Sequence, residues 1–118
     1  MKVLYIRTST LEQNSIRQKQ NTDETCKIIE DKCSGAIPFF EREGGKKILE
    51  LTEKGVIDEL IVHEIDRLGR NLLDILKTIA FFNTKKVNIE FKKQGLRTLN
   101  EDGSENDISK MVISILGV

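Results

Sequence analysis

Short apolar runs alternate along this chain with longer stretches in which apolar residues recur at helical spacing. Val3 to Ile6 is an apolar run in which Val, Tyr and Ile favour a strand. It ends at Arg7-Thr8-Ser9-Thr10, side chains that prefer caps and turns. From about Leu11 to Lys32 the apolar positions Ile16, Cys26, Ile28 and Ile29, followed by Cys33, are sparse among polar helix formers, which predicts a long helix with a narrow buried stripe. Ser34-Gly35 breaks that segment. Ala36-Ile37-Pro38-Phe39-Phe40 then reads as a second strand, with Pro38 favouring a sheet edge, and Glu41 to Gly45 as a polar loop. A further helix is predicted over Lys46 to Lys54, stopped by Gly55. The unbroken apolar core of Glu59-Leu60-Ile61-Val62 suits a strand covered on both faces. Beyond the polar segment His63 to Asn71, Leu72, Leu73, Ile75, Leu76, Ile79, Ala80 and Phe82 repeat with the period of a helix. Val87 to Phe91 alternates with period two and makes another strand. Lys92 to Asn106, with Gly95 and Gly103, reads as a long loop with room for one short strand, and Ile108, Met111, Val112, Ile115 and Leu116 begin an amphipathic helix. Alternation of strand and helix predicts an α/β domain with a mainly parallel sheet.

With 118 residues, 38% of them hydrophobic, the chain has room for one ordinary core and not for two full domains. Nineteen Lys plus Arg balance nineteen Asp plus Glu, which argues mildly against a free-standing DNA binder but leaves room for a clustered basic site. The first twenty residues are locally basic, with Lys2, Arg7, Arg17 and Lys19 against Glu12. Two cysteines, Cys26 and Cys33, and the lone His63 make a zinc or disulfide framework improbable, and the cysteines read as core packing. Neither a signal peptide nor a membrane span is apparent, so a cytoplasmic protein is the expectation.

In open α/β sheets, ligands gather beyond the C-terminal ends of the strands. One loop there holds Arg7 and Ser9, and another holds Asp66-Arg67-Leu68-Gly69-Arg70. In a parallel sheet both open at the same edge, where a hydroxyl and three guanidiniums converge. A serine hydroxyl can attack a phosphodiester while arginines hold its non-bridging oxygens and stabilise the charge that grows in the transition state. Taken singly, each residue also has a plainer reading: Ser9 as a helix cap, Asp66 as a capping carboxylate, Arg67 and Arg70 as surface charges. His63 reads as structural or solvent-facing. From the residues alone, phosphoryl transfer stands beside a non-covalent phosphate-binding domain and a metal-dependent nuclease. The first of these lacks a Walker-type loop and the second an evident carboxylate cluster.

Two segments shift that balance. Tyr5-Ile6-Arg7-Thr8-Ser9-Thr10, followed by Gln13, resembles the opening active-site motif of the serine site-specific recombinases of the resolvase and invertase type. Ile65-Asp66-Arg67-Leu68-Gly69-Arg70 resembles the same family's second signature. Gln20 sits where the family often has a glutamine, and Arg42, in Glu41-Arg42-Glu43-Gly44, resembles its further active-site arginine, although the loop here departs from the usual Arg-Pro-Gly. The resemblance covers nearly the whole chain.

It implies a three-layer domain with a central, mainly parallel four- or five-stranded sheet. Ser9 would be the nucleophile and would form a 5′-phosphoserine link. Arg7, Arg42, Arg67 and Arg70 would hold the scissile phosphate, Asp66 would orient arginines or assist proton transfer, and Gln13 would support the nucleophile loop. No metal or other cofactor is implied. Residues 1–105 would form the catalytic domain and 106–118 the start of a long helix that serves dimerisation and the DNA arm, with the DNA-binding domain absent. Double-stranded DNA, a homodimer and a synaptic homotetramer are the partners implied for the full-length protein. As a fragment, the chain would fold but bind DNA weakly, recombine little and assemble poorly. A non-catalytic interaction domain derived from a recombinase would carry the same motifs.

Overall fold

A computed structural model describes residues 1–9 and 25–116, the side chains of residues 113 and 116 excepted. Five strands form one sheet in the order β2-β1-β3-β4-β5. They are β1 (Lys2–Thr8), β2 (Lys27–Lys32), β3 (Glu59–Val62), β4 (Asn88–Phe91) and β5 (Leu96–Arg97). The first four run parallel, β1 pairing with both β2 and β3 and β3 with β4, while β5 returns antiparallel along β4. Three α-helices are described: α1 (Glu43–Glu53), α2 (Leu72–Thr84) and α3 (Asp107–Leu116). The expected mainly parallel sheet of four or five strands with flanking helices is therefore present. No helix among the described residues is long and apolar enough to cross a membrane.

Strand alternation divides the core between the two faces of the sheet. Val3, Tyr5, Leu60, Val62, Ile89 and Phe91 join Ile48 of α1, Leu76, Ile79 and Phe82 of α2 and Val112 of α3 in the larger buried cluster, whereas Leu4, Ile6 and Ile61 point to the opposite face with Cys26 against them. The strand at Glu59–Val62, predicted to be covered on both faces, lies at the centre of the sheet.

Two expectations are corrected. The segment Lys27–Lys32 is the edge strand β2 and not the end of a long helix, so Cys26 and Cys33 flank a strand. The remainder of the predicted helix, with Gln13 and Gln20, lies outside the described residues. Ala36 to Phe40 is not a strand either. Ala36, Ile37 and Pro38 are exposed, and Pro38 introduces a 3₁₀ turn, Phe39–Glu41, in which the N–H groups of Glu41 and Arg42 donate to the carbonyls of Pro38 and Phe39. Only Phe39 of that run is buried, packed edge-on against Tyr5 with ring centroids 4.9 Å apart.

The helix predicted from Lys46 starts three residues earlier, because the expected polar loop ends at Arg42. At Gly45 a Cβ would stand 1.7 Å from the Phe39 carbonyl oxygen, so glycine alone lets the 3₁₀ turn lie against the helix. Gly55, at φ +74°, terminates α1 in the left-handed conformation, as the sequence suggested.

The N-terminus of α3 is tied to the sheet by a polar staple. Asn106 caps it, its Oδ1 accepting from the Ser109 N–H at 3.0 Å while its Nδ2 donates to the Arg97 carbonyl at 2.7 Å, and the Ser109 hydroxyl donates to the Thr98 carbonyl. Asn106→Ala removes the cap and one tie to the sheet. It should cost about 1–2 kcal/mol of stability in urea denaturation, and an unchanged midpoint would mean that the cap is not formed.

Candidate active site

Because β1 to β4 are parallel, their C-terminal ends share one edge of the sheet. That edge carries Arg7 and Thr8 at the end of β1 with Ser9 just beyond, Cys33 to Gly35 after β2, His63 to Arg70 after β3 and Lys92-Lys93 after β4. The segment after β3 begins with a 3₁₀ turn, Ile65–Arg67, anchored by the fully buried Leu68. Asn71 then caps α2 by accepting from the Asp74 N–H at 2.9 Å.

Three of the predicted arginines are brought together. Arg7 is 7% exposed and its NH1 donates to the Cys33 carbonyl at 3.1 Å. Gly35 lies against its guanidinium, where a Cβ would sit 3.4 Å from Cζ. Arg67 NH1 donates to the Arg7 carbonyl at 3.2 Å. Arg42, 2% exposed, donates from Nε to the Ile37 carbonyl, from NH1 to the Tyr5 hydroxyl and the Arg67 carbonyl, and from NH2 to the Gly35 carbonyl, at 2.7 to 3.3 Å. Ser9 lies two residues beyond Arg7 and is partly exposed. Asp66 is exposed, with Oδ1 3.8 Å from Arg67 Nε. Arg70 is exposed at the start of α2, and among the described residues it makes no hydrogen bond to the other arginines.

Behind the arginines lies a buried relay that sequence reading did not assign. Tyr5 and Arg7 face the same side of β1, and the Tyr5 hydroxyl donates to Asp31 Oδ2 at 2.7 Å while accepting from Arg42. The Asp31 carboxylate also accepts from the N–H groups of Gly44 at 2.7 Å and Gly45 at 3.2 Å, capping α1 from the neighbouring strand. Burial, with Asp31 adding to it and Arg42 opposing, pushes the Tyr5 hydroxyl far above the ordinary phenol range, so it stays a protonated donor.

Two residues at this edge were also unassigned. Glu64, 19% exposed, holds Arg67 NH2 at 3.3 Å with one carboxylate oxygen and Lys93 Nζ at 3.2 Å with the other. Burial pulls this carboxyl upward, but the hydrogen bond and charge of Lys93, with the charges of Arg67 and His63, outweigh it and hold the carboxyl below the ordinary range. Its stabilising effect is therefore complete at neutral pH and is lost as the pH falls through that lowered value. His63 itself is partly buried and offers its carbonyl to the Lys93 N–H at 2.7 Å.

Cys33 sits among these groups. Burial, helped by Asp31 and opposed by Arg42 and Arg7, pushes its thiol up. Iodoacetamide at neutral pH should therefore label it more slowly than a free peptide thiol, because the thiolate is the reacting form. A mass-spectrometric time course reads this, and labelling at the free-thiol rate would contradict it.

Among the described residues no three His, Cys, Asp or Glu side chains come together as metal ligands. What the edge offers is a cluster of guanidiniums, Arg7 and Arg42 buried and Arg67 partly so, at the strand end that leads to the Ser9 hydroxyl, residue types suited to binding a phosphate and to stabilising charge that grows on it.

Comparison with known proteins identifies the family. The family model for the resolvase N-terminal domain matches residues 2–118. The Tn501 resolvase of Pseudomonas aeruginosa is 33% identical over 113 residues, which are 96% of this chain and 56% of that protein. The DNA-invertase of Escherichia phage P1 is 36% identical over 90 residues, 75% of this chain and 46% of that one. The chain thus spans about half the length of these curated relatives. Among solved structures, the N-terminal catalytic domain of TP901-1 integrase superposes with a TM-score of 0.72 at 23% identity, covering 99% of this chain and 92% of that domain, a likeness of fold. With residues 2–118 matched by the family model, this chain belongs to the resolvase N-terminal domain family.

Proposed function

We propose that this chain is the catalytic domain of a serine site-specific DNA recombinase and that Ser9 is its nucleophile. The observation that carries the reading is the knitting together of Arg7, Arg42 and Arg67 by hydrogen bonds at the strand edge that ends in Ser9.

In the proposed step the Ser9 Oγ attacks the scissile phosphorus. The Oγ–P bond forms, the bond to the 3′-oxygen breaks, the serine proton is released and the leaving oxygen takes up a proton as the 3′-hydroxyl. Arg7 and Arg67 hold the non-bridging oxygens, with the exposed Arg70 closing on the phosphate from the start of α2. Arg42 uses its donors on protein acceptors. It braces Tyr5 and the Arg67 main chain, with four of its five N–H donors engaged by protein acceptors. Asp66 orients Arg67 or passes the proton to the leaving oxygen, and Gln13 supports the nucleophile loop. The 5′-phosphoserine conserves the energy of the phosphodiester, so the reverse attack by a free 3′-hydroxyl reseals exchanged strands.

Double-stranded DNA is the partner in this reading, with a homodimer and then a synaptic homotetramer forming in the full-length protein. Met111 and Ile115, 54% and 56% exposed on α3, supply an apolar face for that assembly. The test is to incubate the full-length protein, in the presence of EDTA, with nicked duplex carrying its recombination site and to run the products on a denaturing gel. Protein attached to a 5′ end is the expected outcome. Absence of an adduct from folded, DNA-bound protein would favour a non-catalytic interaction domain.

A further inference from the structure

We propose that Glu64 is a positioning residue for Arg67, an internal counter-anion that holds the Arg67 guanidinium until a phosphate takes its place. This deepens the recombinase reading and rests on it.

Glu64 lies two residues past the end of β3 in extended backbone and leads into the 3₁₀ turn that carries Asp66 and Arg67. Its two carboxylate oxygens are divided between Arg67 NH2 and Lys93 Nζ. The Arg67 and Glu64 side chains are only 15% and 19% exposed, whereas Lys93 is 62% exposed. The contact with Arg67 is therefore the better shielded of the two. A phosphate approaching in the bidentate manner that suits a guanidinium competes with Glu64 for the NH2 end of Arg67. When the phosphate arrives, Glu64 loses Arg67 but keeps Lys93, so its charge is not left unpaired.

A purely architectural role fits less well. The turn after β4 is already fastened to β3 by main-chain bonds, Lys92 N–H to the Val62 carbonyl at 3.0 Å and Lys93 N–H to the His63 carbonyl at 2.7 Å. The Glu64–Lys93 pair adds little to that fastening. What it does is set how much of the Glu64 charge remains for Arg67.

The two halves of the arrangement predict opposite effects. Inorganic phosphate is titrated into the 118-residue chain at constant ionic strength, and the Arg67 Nε–Hε signal, assigned by its loss in Arg67→Lys, is followed by NMR. Glu64→Gln should bind phosphate about threefold more tightly or better, the effect expected from removing one unit charge about 6 Å away in a high-dielectric setting. Lys93→Met should bind it more weakly, since Glu64 then has Arg67 alone. Unfolding curves confirm that each variant is folded. An unchanged or weaker affinity in Glu64→Gln overturns the proposal, as does a phosphate-independent Arg67 signal in both the wild type and Glu64→Gln. If both variants weaken binding, the pair is a structural tie. The titration involves neither Ser9 nor DNA, so its failure leaves the covalent reading standing, and failure of the adduct assay leaves this result readable.

Discussion

Replacing Asp31 with alanine should lower the stability of the domain by about 3–5 kcal/mol, a large share of what a domain of this size possesses. Asp31 is 7% exposed and accepts from three donors, the Gly44 and Gly45 N–H groups and the Tyr5 hydroxyl. Alanine leaves all three without their acceptor, and a buried donor without a partner costs about 1–3 kcal/mol before relaxation or water entry. The first turn of α1 has no substitute, since Arg42, at its N-cap position, supplies no side-chain acceptor. Gly44 packs so closely that a Cβ there would lie 2.7 Å from the Asp31 carboxylate, which shows how directly strand and helix depend on this contact. Calorimetry should show the midpoint falling by roughly 15 °C at the usual ratio for a domain of this length. Asp31→Asn, which keeps one acceptor oxygen, should lose about half as much. A loss under about 1 kcal/mol for the alanine variant would mean that the three bonds do not hold the domain together.

Ser9→Ala in the full-length protein should reduce strand cleavage by about 10⁴-fold or more while changing DNA affinity little. Removing a nucleophile outright takes away the covalent route and leaves only binding and electrostatic help. The hydrogen bonds that link Arg7, Arg42 and Arg67 run to main-chain carbonyls and not to the Ser9 hydroxyl, so the substitution leaves those bonds their partners. Cleavage on a suicide substrate and mobility shift on intact duplex separate the two quantities. Cleavage that survives would assign the nucleophile elsewhere, and cleavage and binding lost together would make Ser9 a structural residue.

How far the sequence could be read depended on whether burial and polarity agreed. β1, β3 and α2 were visible because most of their buried positions carry apolar side chains, Arg7, Thr78 and Asn83 being the exceptions. β2 was lost because they do not agree there. Its inward positions are Ile29 and Asp31, while Ile28 is 44% exposed, so the period-two pattern disappears behind an inward carboxylate and an outward isoleucine. The carboxylate that hid the strand caps α1 and anchors Tyr5. At Ala36 to Phe40 the error ran the other way, because an apolar run with exposed Ala36 and Ile37 looked like a strand when only Phe39 is buried.

The arginines and Ser9 were legible through their motifs and through the rule that parallel strands gather their loops at one edge. Asp31, Glu64 and Lys93 were not, since each acts across 13 to 29 residues or through a neighbour whose partner no local pattern reveals. The alternation of Tyr5 and Arg7 on one face of a strand was the one available signal for the buried relay.

The most direct test of the central claim is to identify the amino acid that carries DNA. The adduct trapped on the nicked substrate is digested with trypsin and nuclease and sequenced by mass spectrometry. Cleavage after Arg7 and Arg17 releases residues 8–17, a peptide with Thr8, Ser9, Thr10 and Ser15 as hydroxyl candidates. A nucleotide phosphate on Ser9 is the predicted result; attachment to Thr8, Thr10, Ser15 or another peptide, or no linked peptide from an active preparation, would contradict it.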